Sequence, residues 1–154
     1  MSPSPTDRIE KKLLLRAPRT RVWRALTDPK EFGQWFGVDL TGTFAPGARV
    51  QGKITHKGYE HLTWDVTIER MEPPRVFSWR WHPYAVEPRV DYSAEPTTLV
   101  VFELEEVPTG TMLTVVESGF DLLPPKRRAE AYRMNDQGWA AQMKSVEQHV
   151  GKAG

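Results

Sequence analysis

The apolar positions of this chain alternate most cleanly over residues 62–71, "LTWDVTIERM". Leu62, Trp64, Val66 and Ile68 recur at every second residue against Thr63, Asp65, Thr67 and Glu69, the period of a strand with one buried face. The same period predicts strands at 76–82 ("VFSWRWH"), 97–107 ("TTLVVFELEEV") and 111–120 ("TMLTVVESGF"), the last two joined around "PTG". "VDLTGTF" (38–44) and "RVQGKITH" (49–56) flank the turn "APGA". "RIEKKLLLR" (8–16) opens the series, although Leu13 to Leu15 blur its alternation. Short turns between successive strands read as an antiparallel meander.

Helical spacing takes over in two places. In "RTRVWRALT", behind Pro18, Val22 and Leu26 stand four apart, and "DPKE" then sets Asp28 as N-cap, Pro29 at the first helical position and Glu31 at the third, in the manner of a capping box. This second short helix carries Phe32, Trp35 and Phe36, and Gly37 stops it. From Pro125 onward, Tyr132, Asp136, Trp139, Met143, Val146 and Val150 follow a 3.6-residue period and predict one long helix. The pattern is one strand, two short helices, six more strands and a long helix. It defines an α+β fold, with residues 8–150 as a single domain behind a disordered lead of residues 1–7. Residues 83–96, "PYAVEPRVDYSAEP", hold three prolines and two tyrosines and are expected to form a mobile lid or rim.

Composition narrows the function classes. Lys and Arg number 21 and Asp and Glu 20, a formal charge of +1, so net charge gives no footprint for nucleic acid. No apolar run is long enough to span a bilayer, and "MSPSPTD" lacks the marks of a secretory signal, so membrane insertion is not expected and a cytoplasmic location is. The absence of cysteine excludes disulfides, thiolate metal sites and cysteine nucleophiles. The four histidines (56, 61, 82 and 149) show no shared ligand spacing, and neither a metal nor a cofactor is implied. "GTFAPG" and "VPTGT" are turns without a phosphate-loop lysine, and "VESGF" lacks the glycines of a nucleophile elbow. No catalytic residue is assigned.

Four stretches in order, "VWRALTDPKEFGQWF", "EPPRVFSWRW", "TTLVVFELEEVPTGTMLTVVESGF" and "NDQGW", resemble the marks of the Hsp90-ATPase-activator-like family, within the START-like and Bet v 1-like (SRPBCC) superfamily. The resemblance implies a helix-grip fold, a curved antiparallel sheet of about seven strands around a long C-terminal helix. It also implies a cavity between sheet and helix, which many relatives use for lipids, sterols or polyketides. The namesake co-chaperone carries a separate N-terminal domain that contributes heavily to chaperone binding, so stimulation of Hsp90 is not expected of this chain.

The inward-facing residues supply the candidate site. Phe77, Trp79 and Trp81 of "FSWRWHP" share one strand face, and Trp64 and Phe102 join them from neighbouring strands. Tyr132, Trp139 and Met143 oppose them from the long helix. Indoles carry a polar handle that needs a partner when buried, so these aromatics fit a ligand-lined wall as well as a plain core. Gly138, in a helix interior, costs about 1 kcal/mol relative to alanine, which makes sense if the helix approaches the sheet closely or leaves space.

Glu117 is the polar exception, because the parity that buries Leu113 and Val115 also turns it inward. Burial should raise its pKa and let it anchor a ligand, and Glu117→Leu should then leave the fold as stable or more so. Alternatively Glu117, near the strand's end, reaches solvent or an arginine. The expected function is binding of a hydrophobic or amphipathic small molecule by a monomer or weak homodimer. The alternatives are a co-chaperone-like module for Hsp90 or another protein, and a small cyclase- or hydrolase-type enzyme using Glu117, with His56 as its acid–base partner.

Overall fold

The computed structural model describes residues 7–55, 57–83 and 91–152. Its elements are β1 (Arg8–Leu15), α1 (Arg19–Thr27), α2 (Pro29–Phe36), β2 (Val38–Thr41), β3 (Arg49–Ile54), β4 (Thr63–Glu72), β5 (Val76–Trp81), β6 (Thr98–Val107), β7 (Gly110–Ser118) and α3 (Pro125–Lys152). Every element predicted from the periodicity is present. A 3-10 turn, Phe120–Leu122, ends the stretch that the sequence reads as the tail of the last strand. Gly119 explains the break: at φ 104° it leaves the extended region, which few residues but glycine tolerate.

The seven strands form one antiparallel, curved sheet in the order β1-β7-β6-β5-β4-β3-β2. Strand parity dictates its inner face, which carries Leu113 and Val115 from β7, Val100, Phe102 and Leu104 from β6, Phe77 and Trp79 from β5, and Trp64, Val66 and Ile68 from β4, all buried. α3 lies across this face and buries Trp139, Met143, Val146 and Val150 against it. Lys11 on β1 pairs with Asp136 at 2.9 Å and the Tyr132 hydroxyl donates to the Arg8 carbonyl at 3.0 Å, tying α3 to the edge strand.

α2 closes one end of the layer. Asp28 caps it by accepting from the Lys30 N–H at 3.1 Å, as predicted, but the second half of the capping box does not form. The Asp28 N–H is already spent on the Arg24 carbonyl at the end of α1. Glu31 turns instead to Arg21 and Arg24, each at 2.7 Å, and to His149 at 3.0 Å, linking all three helices. Burial pushes the Glu31 carboxyl up, but hydrogen bonds from His149 and Arg21 and the charges of both arginines outweigh it and hold the pKa below its ordinary value.

A depressed folded pKa contributes stability that is present above the ordinary carboxylate range and is lost as pH falls through the folded value. Glu31→Gln is therefore expected to cost about 1 kcal/mol at pH 7 and to flatten the loss of stability below pH 4.5, measured by urea denaturation across pH. An unchanged acid limb would show that the cluster contributes nothing.

Candidate functional site

The inward parity of β7 places Glu117 wholly out of solvent, at 0 % exposure. Its strand neighbours are Ile9 on β1 and Val100 on β6. Cross-strand partners Trp81 and Thr98 stand one step along, and Asn135 and Trp139, four apart on α3, face it from above. All four donate to the carboxylate. Trp139 Nε1 reaches Oε1 at 2.8 Å, Trp81 Nε1 reaches Oε2 at 2.8 Å, and the Thr98 hydroxyl reaches Oε2 at 2.5 Å. The Asn135 amide spans both oxygens, at 2.9 and 3.2 Å. Solvent does not reach Glu117, and among the described residues no arginine meets it.

Burial still dominates the ionisation and raises the Glu117 pKa, against the lowering effect of these hydrogen bonds. An indole N–H and an amide NH₂ can only donate. When the acid is protonated, Thr98 is therefore the one partner able to accept its proton.

The remaining candidate residues separate from this network. Trp64, Phe77, Trp79 and Phe102 are at most 4 % exposed and pack ring against ring, with Trp79 5.5 Å from Trp64 and 5.3 Å from Phe102 between centroids. They fill the space between sheet and helix. Phe32 of α2 sits among them, 5.2 Å from Trp64 and 5.7 Å from Trp79. Met143 lies further along α3 in the same core, while Tyr132 packs on Phe120, 5.2 Å between centroids, away from the indoles. Trp81 and Trp139 alone combine the aromatic wall with the acid.

Open space lies at the edge of this core. A gap of about 100 Å³ is bordered by Phe36, Trp81, Asn135, Gly138, Trp139 and Gln142, with the Glu117 network as its floor. A larger cleft of about 820 Å³ runs from there between α2, the β3–β4 turn and α3, past Trp35, Ile54, Leu62, Met134 and Ala141. Phe36, Asn135, Gly138 and Gln142 border both, so the two are continuous. A Cβ built on Gly138 meets nothing within 4 Å, so this glycine leaves space and does not serve a close approach to the sheet. α3 also holds α2 in place: Gln142 Nε2 donates to the Phe36 carbonyl at 2.9 Å and Ser145 Oγ to the Trp35 carbonyl at 2.5 Å.

Sequence reasoning missed Phe36, Thr98, Asn135 and Gln142. Thr98 had a signal, being a lone polar residue on the inward parity of Val100, Phe102 and Leu104. Asn135 stands four residues before Trp139, the spacing of one helix face. Phe36 and Gln142 had none, since only the docking of α2 against α3 brings them to the gap. His56 and residues 84–90 of the 83–96 connection lie outside the described residues. At the near end of that connection Arg127 donates to the Pro83 carbonyl at 3.0 Å, and at its far end Arg127 pairs with Glu95 at 2.9 Å. Asp7, assigned to the lead, accepts from the Gly119 and Phe120 N–H groups.

A curved antiparallel sheet gripping a long C-terminal helix, with two short helices after the first strand, defines the START-like helix-grip class. Over residues 16–151 the sequence matches the family described as Activator of Hsp90 ATPase homolog 1-like protein, and the chain belongs to that family. No curated protein matches it closely enough to count as a relative. Among solved structures it resembles MLL2253 from Mesorhizobium loti, at 24% identity and TM-score 0.76, covering 96% of this chain and 98% of that one. It also resembles DynU16, a protein of the dynemicin biosynthetic locus, at 23% identity and TM-score 0.74, covering 97% of this chain and 49% of that one. A third likeness is the Aha1 dimer from Colwellia psychrerythraea, at 18% identity and TM-score 0.68, over 93% and 95% of the two chains. At these identities the likenesses establish the fold alone. No helix among the described residues is long and apolar enough to cross a membrane.

Proposed function

We propose that this domain binds a small hydrophobic or amphipathic molecule, with the ligand's body in the α2–β3–β4–α3 cleft and one end in the gap above Glu117. The observation that carries the reading is the continuity of an apolar cleft of about 820 Å³ with a gap bordered by Trp81 and Trp139, whose indole N–H groups hold the buried Glu117 behind them. Binding clefts for small molecules typically measure about 300–1,000 Å³, mostly apolar with a few placed polar groups. The site expected between sheet and helix is thereby moved outward, because Trp64, Phe77, Trp79 and Phe102 occupy that interior. No step of catalysis is assigned: the Glu117 oxygens are engaged on every side by the protein.

The test uses Gly138→Leu. The new side chain would fill the gap, and replacing glycine in a helix interior is expected to leave stability equal or up to about 1 kcal/mol higher. Wild-type protein should bind decanol and decanoate saturably, read by indole fluorescence, and Gly138→Leu should weaken both at least tenfold with no loss of melting temperature. Undiminished binding by that variant would remove the site from the cleft. If the family's description reflects a protein partner instead, Gly138→Leu would leave that partner's binding intact and neither probe would bind.

A further inference from the structure

We propose that the gap is a cage for an alkylated ammonium group, so that the ligand is a small amphiphile carrying a cationic head. This rests on the reading of the cleft given above and specifies what its inner end recognises. The rings of Phe36, Trp81 and Trp139 form a near-equilateral triangle, with centroids 6.4, 6.3 and 6.0 Å apart, and all three border the gap. They are inclined to one another by 57°, 63° and 37°, so none is stacked on another. Such a triangle lets one atom stand about 4.5 Å from all three centroids, roughly 2.7 Å out of their plane, within the reach of about 6 Å over which a ring face attracts a cation.

Three further features select a cation over an anion or a neutral group. The indole N–H groups of Trp81 and Trp139 both donate to Glu117. Hydrogen bonding to a carboxylate pushes electron density into each indole and strengthens the negative potential of its faces. Glu117 lies one side-chain layer beneath the gap; burial raises its pKa, and a cation held above it opposes that shift, so that the ionised acid and the cation stabilise each other where charge is weakly screened.

The two amides that border the gap are each oriented by an acceptor that only an N–H can satisfy. Asn135 gives its NH₂ to Glu117 and Gln142 gives its NH₂ to the Phe36 carbonyl, so each turns its carbonyl oxygen, the negative end of the dipole, away from that acceptor, with no hydrogen bond to it among the described residues. Among the described residues no arginine or lysine borders the gap, and Lys57 belongs to the larger cleft only. A volume of about 100 Å³ suits a nitrogen with its small alkyl groups and leaves the chain for the cleft.

The experiment compares decyltrimethylammonium, decanol and decanoate, equal in chain and different in head, by isothermal titration calorimetry on the full chain below their micellar concentrations. The cation is expected to bind at least about tenfold more tightly than either comparator. Phe36→Leu keeps an apolar wall but removes a ring that takes no part in the Glu117 hydrogen bonds, and should cut the ratio of cation to decanol affinity several-fold, with any change in decanol binding measured alongside it. Glu117→Gln, checked for folding by its melting curve, should cut it likewise. If decanol or decanoate binds as tightly as the cation, or if Phe36→Leu leaves the preference intact, the cage is overturned and the apolar cleft stands. If none of the three binds, both readings fall.

Discussion

Glu117→Leu is expected to destabilise the domain by about 3–5 kcal/mol, seen as a fall of roughly 10 °C in melting temperature. Leucine is similar in size, so little cavity forms. The loss comes from the donors. Trp139 would keep a buried indole N–H, and Trp81 a half-buried one, with no protein group to receive it, and indole rings fixed by packing cannot turn away. Thr98 can rotate its hydroxyl and Asn135 can swing toward the gap, so their share is smaller. Removing a costly buried acid offsets only part of this.

The sign is opposite to the expectation drawn from the sequence, where Glu117 stood without known partners and its removal counted as a gain. Glu117→Gln should fall between, because its NH₂ faces one indole donor while its oxygen satisfies the other. The same acid sets a slope with pH. With its folded pKa raised, its contribution to stability is fully present below the ordinary carboxylate value and is lost as pH rises through the raised one, and Glu117→Gln should abolish that slope. A leucine variant as stable as wild type would show that the hydrogen bonds from the four donors contribute nothing.

Phe32→Ala is the second large effect. Phe32 is wholly buried, and its ring meets those of Phe36 at 4.8 Å, Trp35 at 4.9 Å, Trp64 at 5.2 Å, Phe44 at 5.5 Å and Trp79 at 5.7 Å. Truncation removes the whole phenyl ring from a site whose neighbours are themselves large and fixed, so the void cannot collapse well. The expected cost is about 3–5 kcal/mol by chemical denaturation. The variant should also bind small aromatic molecules such as benzene in the new void, which the wild type, filled there, should not. A cost below about 1 kcal/mol would mean that these rings are loosely packed and form a ligand-lined wall, contrary to the packing described here.

The two variants separate stability from binding. Phe32→Ala loosens α2, one wall of the cleft, and should weaken ligand binding through the fold. Gly138→Leu should weaken it with the fold intact.

The elements of this fold were legible because each rule that governs them is local. Alternation in "LTWDVTIERM" fixed both the strand and its buried face, and Asp28-Pro29 with Gly37 fixed both ends of α2. The inward turn of Glu117 was equally local, a matter of counting by twos from Leu113. What met it there was not. Trp81 and Thr98 come from strands paired across 36 and 19 residues of sequence, and Asn135 depends on the rotation of α3 about its axis.

The aromatic run "FSWRWHP" shows the same limit within one strand. Phe77, Trp79 and Trp81 share a face, yet Phe77 is covered by Trp23 and Phe44 and Trp79 by Phe32, while Trp81 also borders the gap. The capping box failed for a similar reason: the Asp28 N–H belonged to the preceding helix, and Glu31 was drawn to arginines and a histidine on other elements.

Where the ligand sits is tested most directly by the six indole N–H resonances, one for each tryptophan, in a proton–nitrogen correlation spectrum titrated with decanol. Trp81 and Trp139, at the gap and bonded to Glu117, are expected to shift furthest and saturate together, with a smaller response from Trp35 in the cleft wall. Trp64 and Trp79, packed within the core, and Trp23 on α1 should stay in place. Largest shifts at Trp64 and Trp79, or no saturable shift at Trp81 and Trp139, would contradict a binding site above Glu117.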